Sequence, residues 1–155
     1  MSATITQKLQ SLGITLPEAA APAANYLPYV ISGNMLHVSG QLPTESGKLI
    51  AEGRLGDTVS LEDGVRAARA CAVNIIAQAN AALGGDLGRV RRIIKINGFV
   101  ASTPDFTSQH LVINGASDLF AEVFGEAGRH ARAAVGMASL PLNAAVEIDA
   151  VLEIA

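Results

Sequence analysis

Near the C-terminus the run VEIDAV sets Val146, Ile148 and Ala150 against Glu147 and Asp149 in strict alternation. Successive side chains of a strand point to opposite faces. This segment therefore has one apolar face, fit for a core, and one face carrying both acids. Whatever the chain folds into must contain a sheet whose two faces differ.

Elements to cover the apolar face are legible upstream. In SLEDGVRAARACAVNIIAQANAALGG, Ser60 can cap a helix whose Asp63 stands three residues on, and Gly84 with Gly85 can end it. A second helical pattern runs through TPDFTSQHLVINGASDLFAEVFG, with Phe106, Leu111, Leu119, Phe120 and Val123 apolar, although the Asn114-Gly115 pair argues locally against helix. TITQKLQSLGI places Ile5, Leu9 and Leu12 at helical spacing before Gly13, and TLPEAAAPAANYLP after it is expected to be irregular. YVIS turns at Gly33 and Asn34 into MLHVSGQLP as a hairpin, and RRIIKINGFVAS has the β-branched run of a strand. AAVGMAS and AAVEIDAVLEI are two more strands, with Leu140 to Asn143 as the turn between them. After a short leading helix the order is β-β-α-β-α-β-β, an α+β domain with a mixed or antiparallel sheet and its helices on one face. The other face is left bare, and association of copies around it is the economical way to cover it.

Composition agrees and narrows the partners. At 155 residues the chain is one ordinary domain, half hydrophobic and only 16% charged, which suits tight helix-on-sheet packing and leaves room for a subunit interface. No apolar run reaches the ~20 residues of a membrane span. Eleven basic against 14 acidic residues give no electrostatic footprint for nucleic acid, and the RVRR cluster, Arg89 to Arg92, reads as a solvated strand entry. The N-terminus lacks a charged segment followed by an apolar one, so no secretory signal is expected. With a single cysteine, Cys71, the expected location is cytoplasmic.

PYV, NMLHVSGQLP, the segment AR-x₃-G-x-A-S-LP around Arg132, and VEIDAV together resemble the Rid family, the reactive intermediate deaminases also called the YjgF or endoribonuclease L-PSP family. The resemblance runs from about Pro22 to the C-terminus, dividing the chain into an N-terminal helix and tether, 1–21, and a single YjgF/RidA-like domain, 22–155. It implies a chorismate-mutase-like fold and a homotrimer whose sheets line an inner barrel, with ligand clefts between subunits. It also implies a cofactor-free hydrolysis of 2-imino acids to 2-oxo acids and ammonia.

The same resemblance assigns roles. Arg132 would grip the substrate carboxylate, a task suited to a planar, permanently charged fork. Glu147, fifteen residues on, would position water or return a proton to the leaving nitrogen. Tyr29 would wall the cleft, Ser39 and Asn114 would hydrogen-bond substrate or orient its neighbours, and Ala134 stands where many members carry a cysteine. No thiol chemistry can occur at Ala134, though a backbone role toward the substrate nitrogen survives the change. Read without the resemblance, Tyr29, Ser39 and Asn114 are turn or capping residues, and Glu147 is a solvent-facing strand residue.

Other chemistries lack their residues. His37, His110 and His130 have no zinc-binding pattern around them, Cys71 sits mid-helix as a small hydrophobe, and GGDLG follows a helix as its cap and opens none. No metal and no cofactor is expected. The leading reading is an imine deaminase. A non-catalytic trimer that binds a keto-acid or amino-acid carboxylate is the alternative, and an endoribonuclease is disfavoured by the acidic balance.

Overall fold

The computed structural model describes residues 2–22 and 24–155, so Met1 and Ala23, the latter within the TLPEAAAPAANYLP segment expected to be irregular, lie outside the described residues. Among the described residues there are three α-helices and two sheets. Helix α1 spans Ser2–Ser11, α2 Leu61–Ala82 and α3 Gln109–Phe124. Strands β1 (Tyr29–Ser32), β2 (Met35–Gln41), β3 (Thr44–Glu45), β4 (Lys48–Leu49), β5 (Val90–Ala101), β6 (Ala131–Met137) and β7 (Val146–Ile154) follow in chain order. The main sheet has the order β1-β2-β7-β5-β6, and β3 with β4 forms a separate short hairpin. That hairpin was not expected from sequence, since two-residue strands carry no readable alternation.

The local signals explain most of the elements. The Ser60 hydroxyl accepts from the Asp63 amide at 3.1 Å, and Glu62 and Asp63 lie in the first turn of α2, where the helix dipole favours negative charge. At its far end the Gly85 amide reaches back to the Asn80 carbonyl at 2.8 Å through Gly84 and Gly85, both at positive φ. Gly33, φ +60°, makes the hairpin turn between β1 and β2.

The core lies between the sheet and the pair α2–α3. Val146, Ile148, Ala150, Leu152 and Ile154 of β7 all point into it, and Glu147, Asp149, Val151 and Glu153 take the other face. Alanines 67, 68, 72 and 79, with Ile75 and Ile76, bring α2 onto the sheet with little side-chain bulk. Gly115 lies inside α3, not at its end: a Cβ there would meet the backbone carbonyl of Val65, so the glycine is where the two helices touch. This overrides the local objection of the Asn114-Gly115 pair. The buried stripe of α3 is Val112, Ile113, Ala116, Leu119, Phe120 and Val123. Phe106 precedes the helix, and Leu111 is 40% exposed, so two of the five residues expected on that stripe are elsewhere. Helix α1 closes the side of the domain through Leu9, which is buried in the same core, with Ile5 and Leu12 packed around it.

The connections depart from a simple succession of hairpins. Strands β5 and β6 are parallel, joined by the crossover helix α3, whereas every other pair in the main sheet is antiparallel. The segment Leu140 to Asn143 is not a turn between neighbours, because β5 lies between β6 and β7. It crosses the end of β5 in a short 3₁₀ turn, Pro141–Asn143, with Leu142 and Asn143 at φ near +60°. This crossing puts the C-terminal strand in the centre of the sheet and leaves β1 and β6 as its two edges.

Candidate functional site

Arg132 lies on edge strand β6, in register with the buried Ile96 of β5, so its side chain leaves the sheet on the helix-covered face. There it leans on α3. Its Nη1 donates to the Ser117 hydroxyl at 3.0 Å and its Nη2 to the His110 carbonyl at 3.0 Å. The ion pairs among the described residues are Arg54–Asp57, Arg66–Asp63 and Arg69–Glu122, and Arg132 is in none of them. Its charge therefore has no internal carboxylate to balance it. An open cleft of about 360 Å³ surrounds it, lined also by Asn114, Ser117, Asp118, Arg129 and His130. Ala134, two residues along β6, leaves the strand on the same side, opposite Gly98 of β5.

His130 and Ser117 were not singled out from sequence as part of a site, yet they form the inner wall of this cleft. The His130 Nδ1 is 2.6 Å from the Gly128 carbonyl, which can only accept, so Nδ1 carries the proton. Nε2 of the neutral ring then accepts from the Ser117 hydroxyl at 2.9 Å. Burial holds the imidazole below its ordinary pKa, and the neighbouring Arg132 charge adds to this, against the opposing pull of the Gly128 carbonyl. The signal that could have found His130 was its place two residues before Arg132, at the entry to β6.

Glu147 is elsewhere. It pairs with Phe99 on the sheet face opposite Arg132, together with Asp149, whose carboxylate accepts from Asn97 Nδ2 at 2.8 Å. The expectation that both acids share a face holds. The Glu147 carboxylate occupies the space beside Gly40 of β2, where any Cβ would collide with it. Partial burial raises its pKa, and the Asp149 charge raises it further.

Ser39 and Gly40 belong to a small cleft of about 180 Å³ at the β2 end of the sheet, closed over by Ala20, Ala21 and Pro22 of the tether. The Ser39 hydroxyl donates to the Leu27 carbonyl at 2.7 Å and so braces the approach to β1. Tyr29, at the start of β1, pairs with Val38 and packs against the edge of the core.

Within one chain the six residues thus fall into two groups. Arg132, Asn114 and Ala134 are at the β6 edge; Tyr29, Ser39 and Glu147 are at or beside β1 and β2. The two edges are four inter-strand steps apart, about 19 Å, whereas Glu147 on the central strand β7 is two steps, about 10 Å, from β6, with its side chain on the face opposite Arg132. The family resemblance implies that Arg132 and Glu147 act on one ligand in a cleft between subunits, and within one copy the two side chains lie on opposite faces of the sheet.

Cys71 lies outside both groups. It is fully buried against the Val146 carbonyl, and burial first, with the Glu147 charge second, pushes its thiol well above the ordinary range. Native protein is expected to resist a thiol reagent such as 5,5′-dithiobis(2-nitrobenzoate) at pH 8 and to react with one equivalent on unfolding; rapid native labelling would contradict this burial. Among the described residues no cluster of three or more His, Cys, Asp or Glu is placed to hold a metal ion, and no helix is long and apolar enough to cross a membrane.

Comparison with known proteins gives the likenesses of the chain as a whole. The sequence profile of the YjgF/chorismate mutase-like family, whose description adds a provisional endoribonuclease assignment, matches residues 6–154. Protein TCP17 of Trypanosoma cruzi is 55% identical over 154 residues, covering 99% of this chain and 96% of that protein. The crystal structure of Atu1372 from Agrobacterium tumefaciens, a protein of unknown function, is 62% identical with a TM-score of 0.94, over 99% of this chain and 94% of that one. E. coli TdcF, solved with bound serine, is 26% identical with a TM-score of 0.61, over 90% of this chain and 93% of that one.

Proposed function

Because the chain belongs to the YjgF/RidA family, whose solved members include RidA itself, we propose that it is a cofactor-free 2-imino acid deaminase whose clefts form between copies. The observation that carries this reading is the division of the site. Arg132, without a carboxylate of its own, sits on the β6 edge and the helix-covered face, Ser39 and Tyr29 sit toward the other edge, and Glu147 of the central strand β7 takes the opposite face with its carboxylate beside Gly40 of β2. A contact that joins the β6 edge of one copy to the β1–β2 edge of the next is head-to-tail, and such contacts close into a ring where the rotation between copies closes. The homotrimer expected from the family resemblance is a ring of this kind. Exposed Val30 and Val135, near opposite edges of the open face, give that contact apolar surface.

In the assembled cleft the Arg132 fork holds the substrate carboxylate bidentately and fixes the imine carbon near Glu147 of the adjoining copy. Glu147 orients a water for attack on that carbon, and its raised pKa suits it to return a proton to the departing ammonia. Ala134 offers only backbone to the substrate nitrogen. Holding substrate, water and proton donor together is the whole of the catalysis, since 2-imino acids already hydrolyse in water. With water as the nucleophile the reaction needs neither a metal nor a nucleophilic side chain, and a reducing cytoplasm suits a protein whose one cysteine is a buried thiol.

The test is the decay of a 2-imino acid generated by an amino-acid oxidase and trapped with semicarbazide. Faster loss with protein present is expected; identical decay across short, branched and aromatic imines would leave the alternative, a trimer that binds a small carboxylate without converting it. Serine bound to TdcF is the observation favouring that alternative. Endoribonuclease activity is disfavoured by 11 basic residues against 14 acidic.

Glu147→Gln separates catalysis from stability. Loss of the acid-base group is expected to slow hydrolysis about a hundredfold or more. Stability moves the other way. A carboxyl whose folded pKa is raised binds its proton more tightly folded than unfolded, so ionising it costs stability as pH rises from the ordinary glutamate range through the raised value. The variant should therefore melt higher than wild type at pH 8, with the difference vanishing near pH 4. An equal or lower melting temperature at pH 8 would show that the Glu147 charge is not penalised.

A further inference from the structure

We propose that Ser117 and His130 are positioning residues for the carboxylate clamp, holding the Arg132 guanidinium against α3 so that its remaining N–H groups are presented to the cleft. The inference rests on the reading of Arg132 as that clamp.

A guanidinium on a long side chain has many rotamers, and a clamp that must be ordered by its ligand loses affinity to that ordering. Here the ordering is done in advance. Two N–H groups of Arg132 are engaged by the Ser117 hydroxyl and the His110 carbonyl, one at each terminal nitrogen. The others stay available, enough for a bidentate carboxylate.

Toward Arg132, whose N–H groups only donate, the Ser117 hydroxyl can only accept, but alone its proton is free to rotate. His130 fixes where that proton points. With Nδ1 bonded to the Gly128 carbonyl, Nε2 requires a donor, so the Ser117 proton turns to the imidazole and its lone pairs turn to Arg132. The ring is itself held: Phe120 of α3 meets it edge-on, centroids 5.8 Å apart at 86°. Gly128, which supplies the carbonyl, is seated on the Phe120 backbone with no room for a Cβ. Three elements therefore converge on one hydrogen-bond chain, Gly128 to His130 to Ser117 to Arg132. Asp118 and Arg129 flank the cleft and take no hydrogen bond in that chain.

The experiment measures KM and kcat for a 2-imino acid, the Kd for 2-oxobutanoate by calorimetry, and hydrolysis of a carboxylate-free imine formed from benzylamine by an amine oxidase. Ser117→Ala is expected to raise KM and Kd about tenfold with a smaller change in kcat, and to shrink the preference for the carboxylate-bearing imine by a similar factor. Ser117→Thr, which keeps the hydroxyl, should restore both constants. His130→Gln, which keeps an acceptor where Nε2 stood, should lie near wild type, and His130→Leu should match Ser117→Ala. A thermal melt of each variant checks that it folds.

Unchanged KM and Kd in Ser117→Ala, with both raised in Arg132→Ala, would overturn the positioning role and leave the proposed function standing. Equal losses toward both imines, without rescue by Ser117→Thr, would overturn it too, as damage to packing. A wild-type protein that neither hydrolyses the imino acid nor binds 2-oxobutanoate would overturn the clamp itself.

Discussion

Arg132→Ala is expected to lower kcat/KM for 2-imino acids about 10²- to 10³-fold while leaving fold and oligomeric state intact. The magnitude follows from what is removed. Truncating one partner of a desolvated, hydrogen-bonded charge pair costs about 2–5 kcal/mol, and each 1.4 kcal/mol is tenfold. The cost to the folded chain is far smaller, because the side chain is only part-buried and its internal contacts are two hydrogen bonds to α3. Arg132→Lys should lie between, since an ammonium keeps the charge and loses the fork. The assay is imine decay at equal protein concentration, with light scattering for the assembly. A variant that keeps wild-type turnover would show that the guanidinium serves the structure alone. One that falls apart would show that it serves the interface.

The second large effect concerns the contact between the helices. Gly115→Ala is expected to destabilise the protein by about 2 kcal/mol, lowering the melting temperature by roughly 4–8 °C at fixed protomer concentration. Intrinsic propensity points the other way, since alanine is favoured over glycine inside a helix by about 1 kcal/mol. The two arguments differ in sign, so the melt decides between them. What tips the balance is that the new methyl would meet the Val65 carbonyl, a backbone group that no rotamer change can move aside. Relief requires α2 and α3 to part, and with them the packing of Ile113 and Phe120. A raised melting temperature would mean that the helices can separate slightly at little cost.

Most elements were legible because their causes are local. Ser60 with Asp63, Gly33 with Asn34, and the alternation from Val146 onward each state their structure within a few residues. Gly115 was not legible, because its reason lies fifty residues away at Val65. The crossing at Leu140 to Asn143 looked like a turn for the same kind of reason: nothing in it reports that β5 will lie between β6 and β7. The site divides in the same way. Residues could be nominated one at a time by motif, and the shared face of Glu147 and Asp149 followed from parity. That Arg132 takes the opposite face, two strands from Glu147, depends on a register which only the assembled sheet sets. Ser117 and His130 fall between these cases, since nearness in sequence ties His130 to Arg132 whereas its link to α3 is tertiary.

The separation of the two half-sites has a genetic consequence. Under the head-to-tail reading, a copy that has lost its arginine still lends a sound carboxylate half to one neighbour, and a copy that has lost Glu147 still lends a sound arginine half to the other. Alleles of these two kinds complement each other when co-expressed, because a mixed ring contains clefts in which both contributions are intact. Gly115→Ala loosens the α2–α3 contact and removes neither contribution, so a folded copy that carries it lends both halves and complements either allele.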